Sequence, residues 1–340
     1  MGAAGELELG VERFLADGFA LRSQLASFLK ISPKELECRL PSSTDDLAAL
    51  HPGAFDPDQA GRFYEDTVGT GHLLELAAWH LGSADYIADT LRLQQRFARG
   101  QVLDFGGGIG SHALAAAALP EVERVWFVDL NPHNRAFVQA RAAELGLGAK
   151  LSCYRDMDDP ALPGRFDTIV CLDVLEHLSD PAAQLALFAE RLAPAGIALL
   201  NWYFFKGFQG EYPFHFDAPE LVEAFFRTLQ SRFLEVFQPY LITTRAYRLA
   251  GRAGSPGQKK AGGDPPAVRN RFKGLGPIQA MATLMRLRLR RPRLMLSKLT
   301  TPSTRANRVS SEPRPTLTPG STEVPRWRIR MEPAHTVSPP

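Results

Sequence analysis

The sequence contains only three cysteines, and Cys38, Cys153 and Cys171 lie far apart without a CxxC pair. This scarcity argues against a disulfide framework or a structural zinc site, and it favours a reducing compartment. No run of about 18 uninterrupted apolar residues occurs, so we expect no membrane-spanning helix. The first residues, MGAAGELELGVERF, have neither a basic n-region nor a continuous apolar h-region. We therefore expect no secretory signal and a cytoplasmic protein.

Charge is divided unevenly along the chain. The first 250 residues hold 21 basic and 33 acidic groups, whereas residues 251–340 hold 18 basic and 4 acidic groups together with 13 prolines. A segment of this composition cannot bury enough apolar surface to offset its ordering entropy, which predicts a largely disordered basic tail. Within it, 276–299 has the pattern of a short helix, for which RNA or membrane-surface contact is a less favoured alternative to a solvated tail.

Residues 1–99 show helical patterns and no strand signals. Apolar residues recur at helical spacing from Val11 to Leu25 and predict one amphipathic first helix. The segment Ser32-Pro33-Lys34-Glu35 is a capping box that predicts the start of a second helix. A loop rich in Ser, Asp, Pro and Gly is predicted over 41–58, followed by helices near 69–81 and 84–98.

Strands and helices alternate from residue 100 onward. The predicted strands are 101–105, 124–129, 150–154, 167–172 and 196–203, and the predicted helices are 110–118, 132–145, 181–192 and about 217–229. Strands separated by single helices indicate βαβ units and a parallel sheet. Two further apolar runs, 233–240 and 241–248, predict an antiparallel pair at the sheet edge, so the compact body should end near Ala250.

A glycine-rich turn follows the first predicted strand. In VLDFGGGIG (102–110), Asp104 ends the strand ahead of Gly106, Gly108 and Gly110. Glycines let the backbone approach a ligand closely, and the helix that follows offers free N–H donors at its N-terminus. The dinucleotide fingerprint needs glycine at its sixth position, where Ser111 stands. This departure disfavours a nicotinamide-dependent oxidoreductase.

Acidic residues also end the next three strands. Asp129 closes the second, where a carboxylate can accept hydrogen bonds from both hydroxyls of a ribose. Asp156 and Met157 follow the third, where an acid can accept from an adenine amino group and a methionine can pack on the ring. Asp173 follows the fourth, in CLDVLEHL (171–178). Because the carboxyl ends of parallel strands share one edge, these residues predict a single nucleoside-binding site.

The linked motifs VLDFGGGIG, VDL, RDM and FDTIVCLDVLEHL resemble those of the class I S-adenosylmethionine-dependent methyltransferases, in the small-molecule branch that carries LEHL after the fourth strand. The resemblance covers roughly residues 100–250. It implies an α/β fold with a Rossmann-like, seven-stranded, mostly parallel sheet, helices on both faces and an antiparallel last strand. The domains would be an N-terminal helical lid (1–99), the methyltransferase domain (100–250) and the disordered tail (251–340).

The same resemblance implies S-adenosylmethionine as the cofactor and gives individual residues their roles. Backbone atoms of Gly106, Gly108 and Gly110 would contact it, and Asp104 would order the loop. The remaining contacts would be Asp129 and Leu130 at the ribose, Asp156 and Met157 at the adenine, and Asp173 near the methionine end.

Methyl transfer requires a nucleophile in line with the methyl carbon, about 3 Å away, and a general base only if the acceptor is protonated at neutral pH. His177 and His215 are the candidate bases, because imidazole titrates near neutral pH. Each can instead pack or cap locally. The sequence shows no His/Asp/Glu cluster with metal-ligand spacing, so we expect a metal-independent reaction.

The connection after the fifth strand is rich in aromatic residues, which either line a pocket for a planar or lipid-like acceptor or pack in the core. They are Trp202, Tyr203, Phe204, Phe205, Phe208, Tyr212, Phe214 and Phe216. The predicted lid residues over the site are Tyr64, Thr67, His72, Trp79 and His80.

Leu172-Asp173-Val174-Leu175 stands where amino-methylating DNA enzymes carry Asn/Asp-Pro-Pro-aromatic, and there is no Pro-Cys nucleophile, so we expect no DNA substrate. The favoured function is methyl transfer to a small aromatic or lipid-like acceptor. Three alternatives stay open: an RNA or protein acceptor, a nicotinamide-dependent oxidoreductase, and a non-catalytic nucleotide-binding scaffold. Nothing in the sequence indicates an oligomeric state.

Overall fold

The computed structural model describes residues 9–51, 55–208, 210–238 and 243–251. The expectations for the basic tail, including its disorder and the helix at 276–299, lie outside the described residues. Within these ranges, no helix is long and apolar enough to span a lipid bilayer.

A seven-stranded sheet lies at the centre of the fold. Its strands are β1 (Gly100–Phe105), β2 (Val122–Val128), β3 (Leu151–Tyr154), β4 (Phe166–Cys171), β5 (Leu192–Leu200), β6 (Phe233–Val236) and β7 (Arg245–Leu249). Their order is β3-β2-β1-β4-β5-β7-β6, with β1 to β5 parallel and β7 antiparallel to both of its neighbours. The predicted α/β fold with a mostly parallel sheet and an antiparallel edge pair is confirmed.

Helices cover both faces of this sheet. Those that connect the strands are α8 (Ser111–Ala118), α9 (Pro132–Glu144), α10 (Pro181–Arg191) and α11 (Pro219–Arg232). Neighbouring residues of β1 point to opposite faces: Val102 packs in one apolar cluster with Phe127, and Leu103 packs in a second cluster with Phe188 and Phe225. The core therefore has two layers, one on each face of the sheet. The carboxyl edge of the sheet lies between these two layers.

The N-terminal region is helical, as expected. Its elements are α1 (Val11–Asp17), α2 (Leu21–Leu29), α3 (Pro33–Arg39), α4 (Ser43–Ala48), α5 (Ala60–Arg62), a π-helical turn (Phe63–Thr67), α6 (Gly71–Gly82) and α7 (Ala84–Phe97). At α3 the Ser32 side chain accepts a hydrogen bond from the N–H of Glu35, as the capping box predicts.

The prediction of one continuous first helix is wrong. The chain turns between α1 and α2, where Gly18, Phe19 and Ala20 all have φ near +61°. Phe19 is fully buried there, and the Arg141 guanidinium donates hydrogen bonds to the carbonyls of Gly18 and Phe19. These tertiary contacts offset the cost of the left-handed backbone, which a helical periodicity cannot reveal.

Two other boundaries differ from the prediction. The predicted loop at 41–58 contains α4, because Asp45 and Asp46 occupy its first turn and Leu47 is buried. Serine and aspartate favour helix starts as well as loops, so their abundance was ambiguous. Strand β5 begins at Leu192 rather than 196, since the sheet accommodates 193–196 as an irregularity in its pairing with β4.

Candidate active site

The register of the sheet brings four acidic strand ends to one edge. Phe105 pairs with Val128 and Val128 pairs with Tyr154, so β1, β2 and β3 finish level with one another. Asp104 pairs with Val170 in β4, one residue before that strand ends. The predicted convergence of the strand ends therefore exists in the structure.

The glycine loop is fixed by its own packing. Gly106, Gly108 and Gly110 have φ values of +69°, +56° and +75°. A Cβ at Gly106 would lie 2.5 Å from the Val174 side chain, and one at Gly108 would lie 2.8 Å from Leu76. Glycine is required because the backbone is left-handed and because the β4 loop and α6 approach it closely. The loop is thus held between the segment after β4 and the N-terminal region.

Asp129 joins the glycine loop to the loop after β2. One carboxylate oxygen accepts from the N–H of Gly108 at 2.9 Å, and the other accepts from Asn131 N–H at 2.9 Å and from the Asn134 amide at 3.2 Å. Burial raises the pKa of Asp129 to about 6, although these hydrogen bonds favour the charged form. A carboxylate has about four lone-pair sites, so capacity remains for a ribose hydroxyl.

Asp104 carries an unpaired oxygen inside the protein. Its side chain is 3 % exposed, the N–H of Ala113 in α8 donates to it, and its Oδ2 has no hydrogen-bond partner. Burial, followed by the neighbouring charge of Asp129, raises the pKa of Asp104 to about 7. Its hydrogen bond to the start of α8 supports the predicted role in ordering the loop.

Asp173 is part of a network that the sequence did not predict. Its oxygen accepts from the Asn201 amide at 2.9 Å and from the Tyr86 hydroxyl at 3.3 Å, while its own N–H donates to Asn201. The backbone of Asp173 is left-handed, at φ +55°, and burial raises its pKa to about 6. Asn201 directly follows β5, so the rule that strand ends carry function would have found it.

Of the two residues predicted at the adenine, one forms an ion pair and the other packs in the apolar core. Asp156 pairs with Arg155, which also binds Glu65 at 2.5 Å. Met157 is 5 % exposed and packs in the apolar cluster that contains Val128. Their contacts with an adenine ring remain predictions.

Leu130 follows Asp129 in the chain and lies close to the N-terminal helical region. A Cβ at Gly61 would approach its side chain to 4.0 Å, and its carbonyl accepts from Arg135 at 2.7 Å. The segment around Gly61 therefore lies against the end of β2, next to the residue predicted to bind the ribose.

The two candidate bases lie together. The His177 and His215 rings are 4.7 Å apart at a steep angle, and a carboxylate oxygen of Glu176 lies within 4.8 Å of a ring nitrogen of each. Burial, with His215 second, lowers the pKa of His177 to about 3. A neutral, buried imidazole of this kind is a weak base at neutral pH, so the predicted catalytic role of His177 is not strengthened.

Glu176 is the second residue of the LEHL motif (175–178), and the sequence alone predicts no role for it. It is 1 % exposed, its Oε2 has no hydrogen-bond partner, and burial raises its pKa to about 8, with the charge of Asp173 adding to the effect. Backbone N–H groups of Glu176 and Tyr203 bond to the carboxylate, so only one oxygen is unpaired, and a buried unpaired oxygen marks a position where function is expected.

Two of the predicted lid residues connect the cofactor side to the histidine pair. The His72 ring contacts the Asn134 amide at 3.2 Å, and Asn134 in turn binds Asp129. Tyr64 lies beside His72, with ring centres 5.4 Å apart, and its hydroxyl contacts His177 Nδ1 at 3.1 Å. The N-terminal region therefore contributes side chains to this edge of the sheet.

Two other predicted lid residues pack beside the start of α8 and beside Tyr86, the residue that binds Asp173. His80 is buried against Ser111 at the start of α8, and Trp79 packs on His80. Thr67 ends the π-helical turn and is exposed.

The aromatic connection after β5 divides between the two expected uses. Trp202 and Phe204 pack against Phe225 of α11, which is core packing. Phe214 and Phe216 join an apolar cluster with residues of the N-terminal region. By contrast, the aromatic side chains near His215 lie at the surface. Tyr203 and Tyr212 are about half exposed and contact the His215 ring, and Phe208 is 94 % exposed.

A family model of known proteins matches part of the chain. Residues 78–205 match the family model described as a methyltransferase domain. Residues 78–205 are therefore a methyltransferase domain, and the class I S-adenosylmethionine-dependent type is what the motifs of the chain imply. The matched region contains the glycine loop, whose sequence already disfavoured the dinucleotide fingerprint. The match to a methyltransferase domain therefore also disfavours a nicotinamide-dependent oxidoreductase. Membership of the branch that carries LEHL remains a prediction.

The similarity to curated relatives covers only part of this chain and only part of each relative. The chain is 37 % identical over 124 residues to an uncharacterized protein of Synechococcus, covering 35 % of this chain and 28 % of that protein. It is 31 % identical over 121 residues to a ubiquinone biosynthesis O-methyltransferase of Xanthomonas euvesicatoria, covering 34 % and 47 %. The chain thus spans less than half the length of both relatives.

Solved structures also resemble it. One is an S-adenosylmethionine-dependent methyltransferase of Clostridium acetobutylicum, which is 15 % identical, with a TM-score of 0.35, 48 % of this chain covered and 90 % of that one.

The residues at the carboxyl edge fit the charge of the family's cofactor. Burial raises the pKa of each of the carboxylates there, namely Asp104, Asp129, Asp173 and Glu176, and also that of Glu75 on α6. S-adenosylmethionine brings a sulfonium and an ammonium group, and a nearby positive charge favours the ionised form of such acids. When bound, the cofactor supplies an electrophilic methyl group.

Proposed function

We propose that the methyltransferase domain transfers the methyl group of S-adenosylmethionine to a hydroxyl oxygen of a small aromatic or lipid-like acceptor. The observation that carries the proposal is the pairing of an acidic cradle with a separate polar group beside it. The cradle consists of Asp104, Asp129 and Asp173, and the polar group consists of Glu176, His177 and His215.

The chemistry needs little from the protein beyond positioning. S-adenosylmethionine, when bound, would supply the methyl group to the acceptor oxygen and leave as S-adenosylhomocysteine, and the hydroxyl proton would pass to a nearby base or to solvent. A hydroxyl is protonated at neutral pH, so a group that withdraws or polarises this proton accelerates the step. Glu176 and the histidine pair lie on the loop after β4 and on the connection after β5, next to Asp173.

Two further observations support a small, ring-bearing acceptor. The side chains around His215 are the half-exposed rings of Tyr203 and Tyr212, which offer flat apolar surface at the rim. In addition, the relative from Xanthomonas is named for O-methylation in ubiquinone biosynthesis. The rings favour a ring-bearing acceptor, and the name of this relative favours oxygen as the methylated atom.

The test uses methyl-labelled S-adenosylmethionine and a cell extract, followed by separation into an organic phase, protein and RNA. Label in the organic phase is the expected result, and it should be lost in the Asp129→Ala variant and retained in Asp45→Ala, whose side chain is exposed on α4. Label confined to RNA or protein would overturn the acceptor class. No label in any fraction would overturn methyl transfer itself.

A further inference from the structure

We infer that Glu176, His177 and His215 form a binding site for one divalent transition-metal ion beside the cofactor. The inference deepens the proposed function, on which it rests, because it assigns the polar group next to Asp173 to metal binding. Among the described residues, this is the group of three potential ligands whose donor atoms lie within 4.8 Å of one another.

The donor set has the chemistry that such ions prefer. Two imidazole nitrogens and one carboxylate suit zinc, cobalt, iron or nickel better than magnesium or calcium, which favour oxygen ligands. Metal–nitrogen bonds are about 2.0–2.1 Å long, so ligands of one ion lie about 3–4 Å apart. The donor atoms lie within 4.8 Å of one another, so small movements of the partly buried His215 and its neighbours would bring them to those values.

Hydrogen bonds already hold the histidine rings as metal ligands are held. Nδ1 of His177 lies 3.0 Å from the carbonyl of Phe214, and Nδ1 of His215 lies 3.1 Å from the carbonyl of Phe205. When Nδ1–H donates to a backbone carbonyl, the lone pair resides on Nε2, which is the usual arrangement around a bound metal. Tyr64 adds its hydroxyl beside His177 and limits the rotation of that ring.

An independent observation comes from Glu176. Its side chain is 1 % exposed, its Oε2 accepts no hydrogen bond, and no Lys or Arg of the described ranges forms an ion pair with it. The carboxylate accepts backbone hydrogen bonds from Glu176 and Tyr203, but its Oε2 has no partner and the acid has no cation beside it among the described residues. A cation shared with the two imidazoles supplies that partner.

The ion would serve the acceptor rather than the cofactor. Three protein ligands leave coordination positions open, and the exposed face of the site is the rim formed by Tyr203 and Tyr212. A cation there polarises an acceptor hydroxyl and lowers its pKa. The hydroxyl therefore loses its proton to solvent more readily. The corresponding expectation from the sequence, a metal-independent reaction, is the alternative that the experiment separates.

The experiment measures Co²⁺ binding to the full chain after dialysis against a chelator. We expect one ion per chain and a visible absorption band from cobalt bound to nitrogen and oxygen ligands. Glu176→Gln and His215→Ala should each weaken Co²⁺ binding at least about tenfold and remove the band. His133→Ala is the matched control, because His133 is exposed on α9 and should leave binding unchanged.

Folding and function are controlled separately. Thermal unfolding and S-adenosylhomocysteine affinity should be unchanged in Glu176→Gln and His215→Ala, which excludes general damage. Absence of stoichiometric Co²⁺ binding to the wild type, or equal binding by the variants, overturns the inference. If the metal binds but labelled methyl is never transferred, the proposed function fails and the site stands. If transfer persists unchanged in chelator-treated protein that binds no Co²⁺, the site fails and the function stands.

Discussion

At the scale of single residues, Asp104, Asp173 and Glu176 lie at the sheet edge without an ion-pair partner among the described residues, whereas Asp156 pairs with Arg155. Asp129 accepts three hydrogen bonds from the two loops it joins, whereas Asp104 keeps one buried oxygen unpaired. Such groups cost stability in the free protein and gain from a cationic ligand. The same feature that weakens the fold therefore prepares the site for its cofactor.

Replacing Asp129 tests the ribose contact. In Asp129→Ala the loss of charge-assisted hydrogen bonds should weaken S-adenosylhomocysteine binding by about 1.5–3 kcal/mol, as measured by calorimetric titration. The exposed Asp45→Ala variant should bind as the wild type does. Equal affinities in the two variants would remove Asp129 from the site.

Asp104 gives the stability a defined pH dependence. Its pKa is raised in the folded protein from 3.8 to about 7, so its contribution is fully present below about pH 4 and is lost as the pH rises through 7. Asp104→Asn removes this titration. The variant should therefore gain stability relative to the wild type between about pH 5 and about pH 8, by at most about 1.4 kcal/mol per pH unit.

Urea unfolding of the Asp104→Asn variant and the wild type at both pH values measures this difference. A difference in unfolding free energy that stays constant with pH would show that Asp104 ionises normally.

At the scale of elements, the strand–loop–helix unit from β1 to α8 is clamped from two sides. Val174 in the loop after β4 packs on Gly106, and Leu76 of α6 packs on Gly108. The loop conformation is therefore set by neighbours that are distant in sequence. Movement of either neighbour would change the shape of the cofactor site.

Gly106→Ala tests this clamp. The new Cβ would meet Val174 at 2.5 Å in a backbone with φ +69°, so the free energy of unfolding should fall by about 1–3 kcal/mol and cofactor affinity should fall with it. Gly82→Ala is the matched control, since a Cβ there meets nothing within 4 Å. Denaturant titration in which both variants match the wild type would contradict the assigned role of Gly106.

These elements also show what the sequence could and could not predict. The βαβ core was predictable because β1, β2 and β4 are short apolar runs that end at glycines or acids, and each of these ends carries an acid predicted to belong to the site. The turn at Gly18–Ala20 was not, because a distant buried arginine stabilises it. Nor were the Asn201–Asp173 bond and the Glu176 cluster, since their partners meet only after the sheet forms.

At the scale of the whole described structure, Arg141 ties the N-terminal helices to the methyltransferase domain. Its guanidinium is fully buried and donates to Gln24 at 2.7 Å, to the carbonyl of Ile109 at 2.8 Å, and to the carbonyls of Gly18 and Phe19. Ile109 belongs to the glycine loop. One side chain thus links the α1–α2 turn, α9 and the cofactor loop.

Arg141→Met keeps most of the volume and removes these bonds. Four acceptors would be left unpaired in the core, so the free energy of unfolding should fall by about 3 kcal/mol or more, and amide exchange should accelerate in α1 and α2. The exposed Arg22→Met variant should change stability by less than about 0.5 kcal/mol. An Arg141→Met protein as stable as this control would show that the linkage carries no energy.

We propose that the carboxyl ends of β1, β2 and β4 together bind an adenosyl sulfonium. Calorimetric titration of the full chain with S-adenosylmethionine and S-adenosylhomocysteine tests it most directly. The expected result is one molecule of either ligand bound per chain with micromolar affinity. Failure of both ligands to bind would contradict the account, whatever acceptor or metal the protein takes.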